Sequence, residues 1–150
     1  MKFVHLHSHS HYSLLDGLPK IGPMVEYAKN SGMDALALTD HGVMYGAIEF
    51  YKKASKIGIK PIVGMEAYVA PHKLTQKRSK IDDANYHLIL LAKNHEGYRN
   101  LMELTSIAHV EGFYYRPRID KELLSEKYNG LIALSGCLGG ELCELIQKGE

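Results

Sequence analysis

The sequence predicts an α/β fold assembled from successive β/α units with parallel strands. Short apolar runs alternate with amphipathic stretches about every thirty residues, the rhythm of parallel β/α units. The runs are nearly all apolar, as strands buried on both faces must be. Imidazoles, carboxylates and a thiol gather at or near the ends of those runs, where β/α folds carry their chemistry.

The elements follow in order. "FVHLH" (3–7) is short, β-rich and alternating, and predicts a first strand. "GPMVEYAKNSG" (22–32) predicts a helix, with Pro23 suited to its first turn and Gly32 to its stop. "ALAL" (35–38) predicts a buried strand that ends at "TDHG". "AIEFYKKASKIG" (47–58) predicts a helix whose inner face carries Ile48, Tyr51, Ala54 and Ile57, closed by Gly58. "KPIVGMEAYVA" (60–70) and "HLILLAK" (87–93) predict the third and fourth strands. "HEGYRNLMELTSIAHVEG" (95–112) predicts a longer helix with Tyr98, Leu101, Met102, Thr105 and Ala108 inward. "GLIALS" (130–135) predicts a fifth strand and "GELCELIQK" (140–148) a last helix.

With 150 residues the chain is long enough for one domain with a real core. Its 45% apolar and 23% charged residues are ordinary for a globular protein, and a net charge of +1 gives no global argument for nucleic acid or membrane. No apolar run approaches a membrane span, and the N-terminus lacks the long apolar stretch of a signal peptide. Two cysteines, Cys137 and Cys143, make no disulfide framework, so the chain reads as cytosolic. Five units are too few for a closed β/α barrel, which takes roughly 200 residues or more. Periodicity leaves two readings open: a fragment of a longer protein, or an open five-stranded sheet.

Four of the nine histidines stand at alternate positions in "HLHSHSH": His5, His7, His9 and His11. Side chains on a strand repeat with period two, so a His-x-His pair aims two imidazoles into one cavity. His7 and His9 end the first run, Asp40 and His41 the second, and Cys137 the fifth. Glu66 sits within the third run, and His87 opens the fourth, less tidily placed. Such nitrogen, oxygen and sulfur donors suit zinc, and the oxygen-rich share suits manganese. Each residue also has a plain reading. Glu66 in an apolar strand needs a partner that an arginine could supply, and Cys137 alone reads as a small buried hydrophobe. The basic stretch 72–80, with Lys73, Lys77, Arg78 and Lys80, reads as a solvated loop. In "YYRPRID", Arg116 and Arg118 could hold a phosphate, but a structural role, with Arg118 paired to Asp120 or another carboxylate, is the favoured reading.

"HSHSHYSLLDG", "ALALTDHG", "IVGMEAYV", "YHLILLAKN", "GFYYRPRID" and "LIALSGCLGGE" together resemble the successive motifs of the PHP (polymerase and histidinol phosphatase) family. More narrowly, they are similar to the branch that opens the alpha subunits of bacterial DNA polymerase III. The resemblance covers nearly all of residues 1–150, read as the N-terminal part of a single PHP domain. It implies a distorted TIM-like barrel of seven β/α units, of which this chain holds an incomplete, C-terminally truncated part. It implies up to three divalent ions, Zn or Mn, on ligands that fall here on His7, His9, Asp16, His41, Glu66, His87 and Cys137, with Glu66 bridging. Two more family ligands, in an Asp-x-His motif, lie beyond "SGCLGGE" and are not reached. His5 is expected to pack beneath the site, and His11 is not carried over.

Clustered divalent ions lower the pKa of a bound water toward neutrality and neutralise phosphate oxygens. The resemblance therefore implies a cytoplasmic replication protein with a metal-dependent 3′–5′ exonuclease site acting on DNA. Polymerase and nucleotidyltransferase chemistry would belong to later domains. The implied partners are DNA and other holoenzyme subunits, including a proofreading subunit, with no membrane. Two alternatives remain: a free-standing phosphatase acting on a monoester such as histidinol phosphate, and a non-catalytic scaffold that docks a proofreading subunit.

Overall fold

A computed structural model describes residues 3–14 and 16–149 as a mixed α/β fold; Leu15 of "YSLLDG" lies outside the described residues. After an N-terminal segment come α1 (Ile21–Asn30), β1 (Ala35–Leu38), α2 (Ala47–Lys56) and β2 (Lys60–Val69). Then follow β3 (Tyr86–Ala92), α3 (His95–Val110), β4 (Arg118–Ile119), α4 (Lys121–Lys127), β5 (Leu131–Leu134) and α5 (Glu141–Lys148). The sheet runs β1-β2-β3-β5, and β4 pairs with β2.

The expected first strand is present only as an extended segment. Ala37 N–H donates to His5 O and Thr39 N–H to Ser8 O, each at 2.9 Å. The segment thus advances three residues while β1 advances two, an offset that breaks a regular ladder as a bulge does. It still runs in the direction of β1 and covers its outer edge.

β2 is the organising strand. Its first half pairs in parallel with β1, from Ala35↔Lys60 to Leu38↔Val63. Its second half pairs with β3 from Gly64↔Leu91 to Val69↔Tyr86, and with β4 at Tyr68↔Arg118 and Val69↔Ile119. The β3 pairing is antiparallel, and so is β3 with β5, while β2 with β4 is parallel. The expectation of parallel strands throughout is therefore corrected at β3; the other four strands share one direction. The reason lies between β2 and β3. A parallel return needs a crossover of a dozen residues or more, usually helical. Residues 70–85 hold no helix, so the chain turns back directly.

The inner face of α2 also differs from expectation. Ala47, Phe50 and Ala54 are buried, whereas Ile48 and Tyr51 are each 57% exposed. The buried stripe lies one position round the helix, because Phe50 fills the space between α1 and the sheet with Ile21, Val25 and Leu36. Ile48 and Tyr51 instead line a groove toward Pro61, Val63 and Tyr98. In α3, Leu101 and Ala108 are inward as expected, but Leu104 replaces Met102, and Gly97 is buried. β4 and α4 were not legible as elements. Two residues of strand carry no period, and Asp120 caps α4 by accepting from Leu123 N–H at 2.8 Å.

Candidate metal centre

Alternation along β2 sets up the site. Met65, Ala67 and Val69 join Leu101, Leu104 and Ala108 in the core under α3. Glu66 and Tyr68 therefore face the opposite side, where Ala37, Ile89 and Leu91 form an apolar floor. The reversed course of β3 matters here. Its first residues lie beside the last of β2, with His87 opposite Tyr68. A strand opening thus reaches the same rim as the C-terminal ends of its neighbours, which explains the untidy position of His87 in the sequence. His41 joins the rim through a parallel bridge to Glu66, in which Gly42 N–H donates to Glu66 O at 2.9 Å.

Glu66 is 1% exposed and is the focus of four imidazoles. His7 Nε2, His9 Nε2 and His41 Nδ1 stand 2.7, 3.0 and 3.5 Å from its Oε2. His87 Nδ1 stands 2.6 Å from Oε1. The two Nε2 atoms of His7 and His9 are 3.0 Å apart, and His41 Nε2 is 2.8 Å from Asp16 Oδ2. Three ring nitrogens on one carboxylate oxygen exceed its two lone pairs, and two imidazole nitrogens facing each other share at most one useful proton. His41 Nδ1 is buried with no hydrogen-bond partner. Hydrogen bonding alone therefore does not account for the cluster, whereas a cation among the rings would take up lone pairs that no proton serves.

The charges agree. Burial pushes the Glu66 carboxyl up, but hydrogen bonds from His9 and His7 and the charge of His41 outweigh it and hold the group at about 2. Burial lowers His9, and its hydrogen bond to Glu66 with the charges of Glu66, Asp16 and Asp40 reverses that into a net rise. Glu66 is thus an ionised carboxylate whose surroundings favour positive charge.

A second set of polar groups, missed as site residues in the sequence, holds this rim in place. Asp40 is 1% exposed and accepts from Ser10 N–H at 2.6 Å, Ser10 Oγ at 2.8 Å and Ser13 Oγ at 3.3 Å. Ser13 Oγ in turn accepts from His41 N–H at 3.0 Å and lies 3.2 Å from His9 Nδ1. Contact with the second ring nitrogen fixes the tautomer and aim of a ligating histidine. The signal was present: serines interleave the histidines, and Asp40 precedes His41.

Six of the seven expected residues form three overlapping groups able to hold a cation: His7, His9 and Glu66; His9, Asp16 and His41; His41, Glu66 and His87. Cys137 stands apart from these groups. Its Sγ is 3.7 Å from His87 Nδ1 and accepts from Gly139 N–H at 3.3 Å. It is exposed, not the buried hydrophobe that its apolar setting suggested, because it lies beyond β5 in the loop ahead of α5. His5 is exposed against the edge of Phe3, not packed beneath the site, and His11 lies against Tyr12. Arg118 is structural, as favoured, but its partners are carbonyls and not Asp120. Buried completely, it donates to Gly112 O, Asp82 O, Leu74 O and Gln76 O at 2.9–3.2 Å, clamping the 70–85 loop.

The family model described as "PHP domain" matches residues 5–150. The chain belongs to the PHP domain family. It is 56% identical over 146 residues to the DNA polymerase III subunit alpha of Borreliella burgdorferi, covering 97% of this chain and 13% of that protein. It is 54% identical over 151 residues to the subunit of the same name from Treponema pallidum, covering 100% of this chain and 13% of that protein. The chain therefore spans about an eighth of the length of the curated relatives it matches. An amidohydrolase structure from Chromobacterium violaceum aligns with a TM-score of 0.47 at 22% identity, covering 69% of this chain and 34% of that one. No described helix of this PHP domain is long and apolar enough to cross a membrane.

The donor set fits the divalent metals that such a rim suits. Imidazole nitrogens with carboxylate oxygens are ligands for zinc and, in the oxygen-rich groups, for manganese. The orphaned His41 Nδ1 and the crowded Oε2 of Glu66 are the atoms that a cation satisfies.

Proposed function

We propose that this chain is the N-terminal PHP portion of a bacterial replicative DNA polymerase alpha subunit, and that its rim hydrolyses phosphodiester bonds at DNA 3′ ends. The observation that carries the reading is the convergence of His7, His9, His41 and His87 on the two oxygens of Glu66. The name of the relatives supports the parent protein and disfavours a free-standing monoester phosphatase.

The roles follow from position. Glu66 would bridge, because its two oxygens face different histidines. His7, His9 and His41 stand on its Oε2 side and His87 on its Oε1 side, and Asp16 extends the set through His41. Cys137, with Sγ 3.7 Å from His87 Nδ1 and outside the three groups, would have to close on the His87 side to serve as a ligand. Divalent ions, Zn or Mn, supply activation of water and neutralisation of phosphate oxygens. The protein supplies the apolar floor of Ala37, Ile89 and Leu91, which lowers the local dielectric, and the serine–Asp40 layer, which fixes ring orientation. In this reading the protein works in the cytoplasm with DNA and the other holoenzyme subunits, a proofreading subunit among them.

The test uses the full-length protein, stripped with EDTA and reloaded with zinc or manganese, on 3′-labelled single-stranded DNA. Metal-dependent release of the 3′ nucleotide, lost in Glu66→Ala while primer extension continues, is the expected result. Release that survives Glu66→Ala places the nuclease elsewhere.

A further inference from the structure

Beside the metal centre lies a cleft of about 290 Å³ lined by Asp16, His41, Tyr68, Asn85, His87 and Arg116. Arg116 is the permanent cation of this lining. Its exposed guanidinium lies over the Tyr68 ring, with Cζ 5.6 Å from the centroid. The Tyr68 ring also stacks on His41, 5.6 Å between centroids, so one ring links Arg116 to the metal rim. Among the described residues no carboxylate pairs with the Arg116 guanidinium.

The backbone holds it there. Tyr114 N–H donates to Arg116 O at 3.0 Å across a tight turn in which Tyr115 has φ 59°. A non-glycine residue in that region is costly and persists only where the surroundings impose it. Pro117 then closes on Gly42, directly after His41, where a Cβ on Gly42 would lie 2.7 Å from Pro117 Cγ. Asn85 is also held firmly in the lining. Asn85 Nδ2 donates to Asp83 O at 3.1 Å, which fixes the amide, and its Oδ1 is buried without a partner.

We propose that Arg116 is a strand-positioning residue: its guanidinium takes a phosphate of the DNA strand other than the one being cleaved. The inference rests on the phosphodiesterase reading above. Ions at the rim would neutralise the scissile phosphate and leave the next phosphate of the strand without a cation. A guanidinium presents a planar fork matched to phosphate oxygens. Lying over Tyr68 with no carboxylate paired to it, the fork is available to a phosphate. The site thus selects an oligonucleotide over a single phosphate monoester.

The test uses the full-length protein and a thymidine trinucleotide, too short to span a polymerase cleft, ending in 4-thiothymidine. Irradiation in EDTA, followed by mapping of the crosslinked peptide, reads binding without hydrolysis. The wild type is expected to crosslink within residues 111–120. Arg116→Ala should cut the yield about tenfold, Arg116→Lys should restore part of it, and Lys77→Ala, in the basic loop, should leave it unchanged. With metal restored, Arg116→Ala should raise KM for the trinucleotide about tenfold with kcat within about twofold. It should also reduce the salt slope of kcat/KM by about 0.7, the increment for one single-strand phosphate. An unchanged yield in Arg116→Ala, or crosslinks only outside 111–120, overturns the proposal. Failure of the wild type to hydrolyse DNA defeats the nuclease reading instead and leaves the crosslink to decide Arg116.

Discussion

His7 Nε2 stands 2.7 Å from Glu66 Oε2, although 59 positions separate the two residues in the chain. The contact joins a bulged N-terminal segment to the middle of β2, and everything proposed for the site depends on it. Deleting the Glu66 carboxylate removes the anion on which four imidazoles converge. Glu66→Ala should therefore lower bound metal at least tenfold, measured by elemental analysis after dialysis, with nuclease activity lost in parallel. Unchanged metal content removes Glu66 from the bridging role.

Asp40 never reaches the ions in this account, yet it holds the rim. Asp40→Ala strands the buried Ser10 N–H and frees Ser13 from its place behind His9 and His41. An unsatisfied buried donor costs about 1–3 kcal/mol. Urea denaturation should show a loss of that size, together with weaker metal binding of about 10–100-fold. A stability loss without any change in metal affinity limits Asp40 to a folding role.

Gly97 approaches the chain before β5 so closely that a Cβ would lie 1.8 Å from Gly130 O. The neighbour is backbone and has nowhere to go. Gly97→Ala should destabilise by about 1–3 kcal/mol or more, despite the better helix propensity of alanine. A raised urea midpoint contradicts the packing of α3 on β5.

Asp82 gives the pH dependence. The Arg78 side-chain hydrogen bond holds its carboxyl down at about 2, against the opposing effect of burial. A depressed carboxylate contributes stability that is fully present above the unfolded pKa of about 3.9 and is lost as pH falls through the folded value. The gap in urea midpoint between wild type and Asp82→Asn should be constant above about pH 5 and close toward pH 2. A gap that persists unchanged at pH 2 assigns the stabilisation to something other than the ionised pair.

Residues and motifs made much of this legible. β1, β2, β3 and β5 lie where apolar runs placed them, because aliphatic runs carry their own signal, although β5 is not buried on both faces as expected and leaves Ile132 46% exposed. The direction of β3 was not legible, since an apolar run reads the same both ways; the missing helix in 70–85 was the available clue. The inner face of α2 was misread because Ile48 and Tyr51 out-rank Ala47 in hydrophobicity, while only the small residue fits where the helix meets the sheet. His7, His9, Asp16, His41, Glu66 and His87 come together in three overlapping groups, without Cys137. The exposure of Cys137 and the serine–Asp40 layer depend on loop paths that no periodicity encodes. Arg116 and Arg118 differ by two positions and look alike in sequence, yet one is buried among carbonyls and the other faces the cleft.

Bridging of cations by Glu66 is the feature on which the rim's chemistry turns. Anomalous diffraction at the zinc and manganese edges, from crystals of the full-length protein grown with each metal, measures it directly. Anomalous peaks are expected on both sides of Glu66, with one within about 2.0–2.2 Å of a carboxylate oxygen and of the His7 and His9 nitrogens. Ordered His7, His9 and Glu66 side chains with no anomalous peak among them, at saturating metal, contradict it.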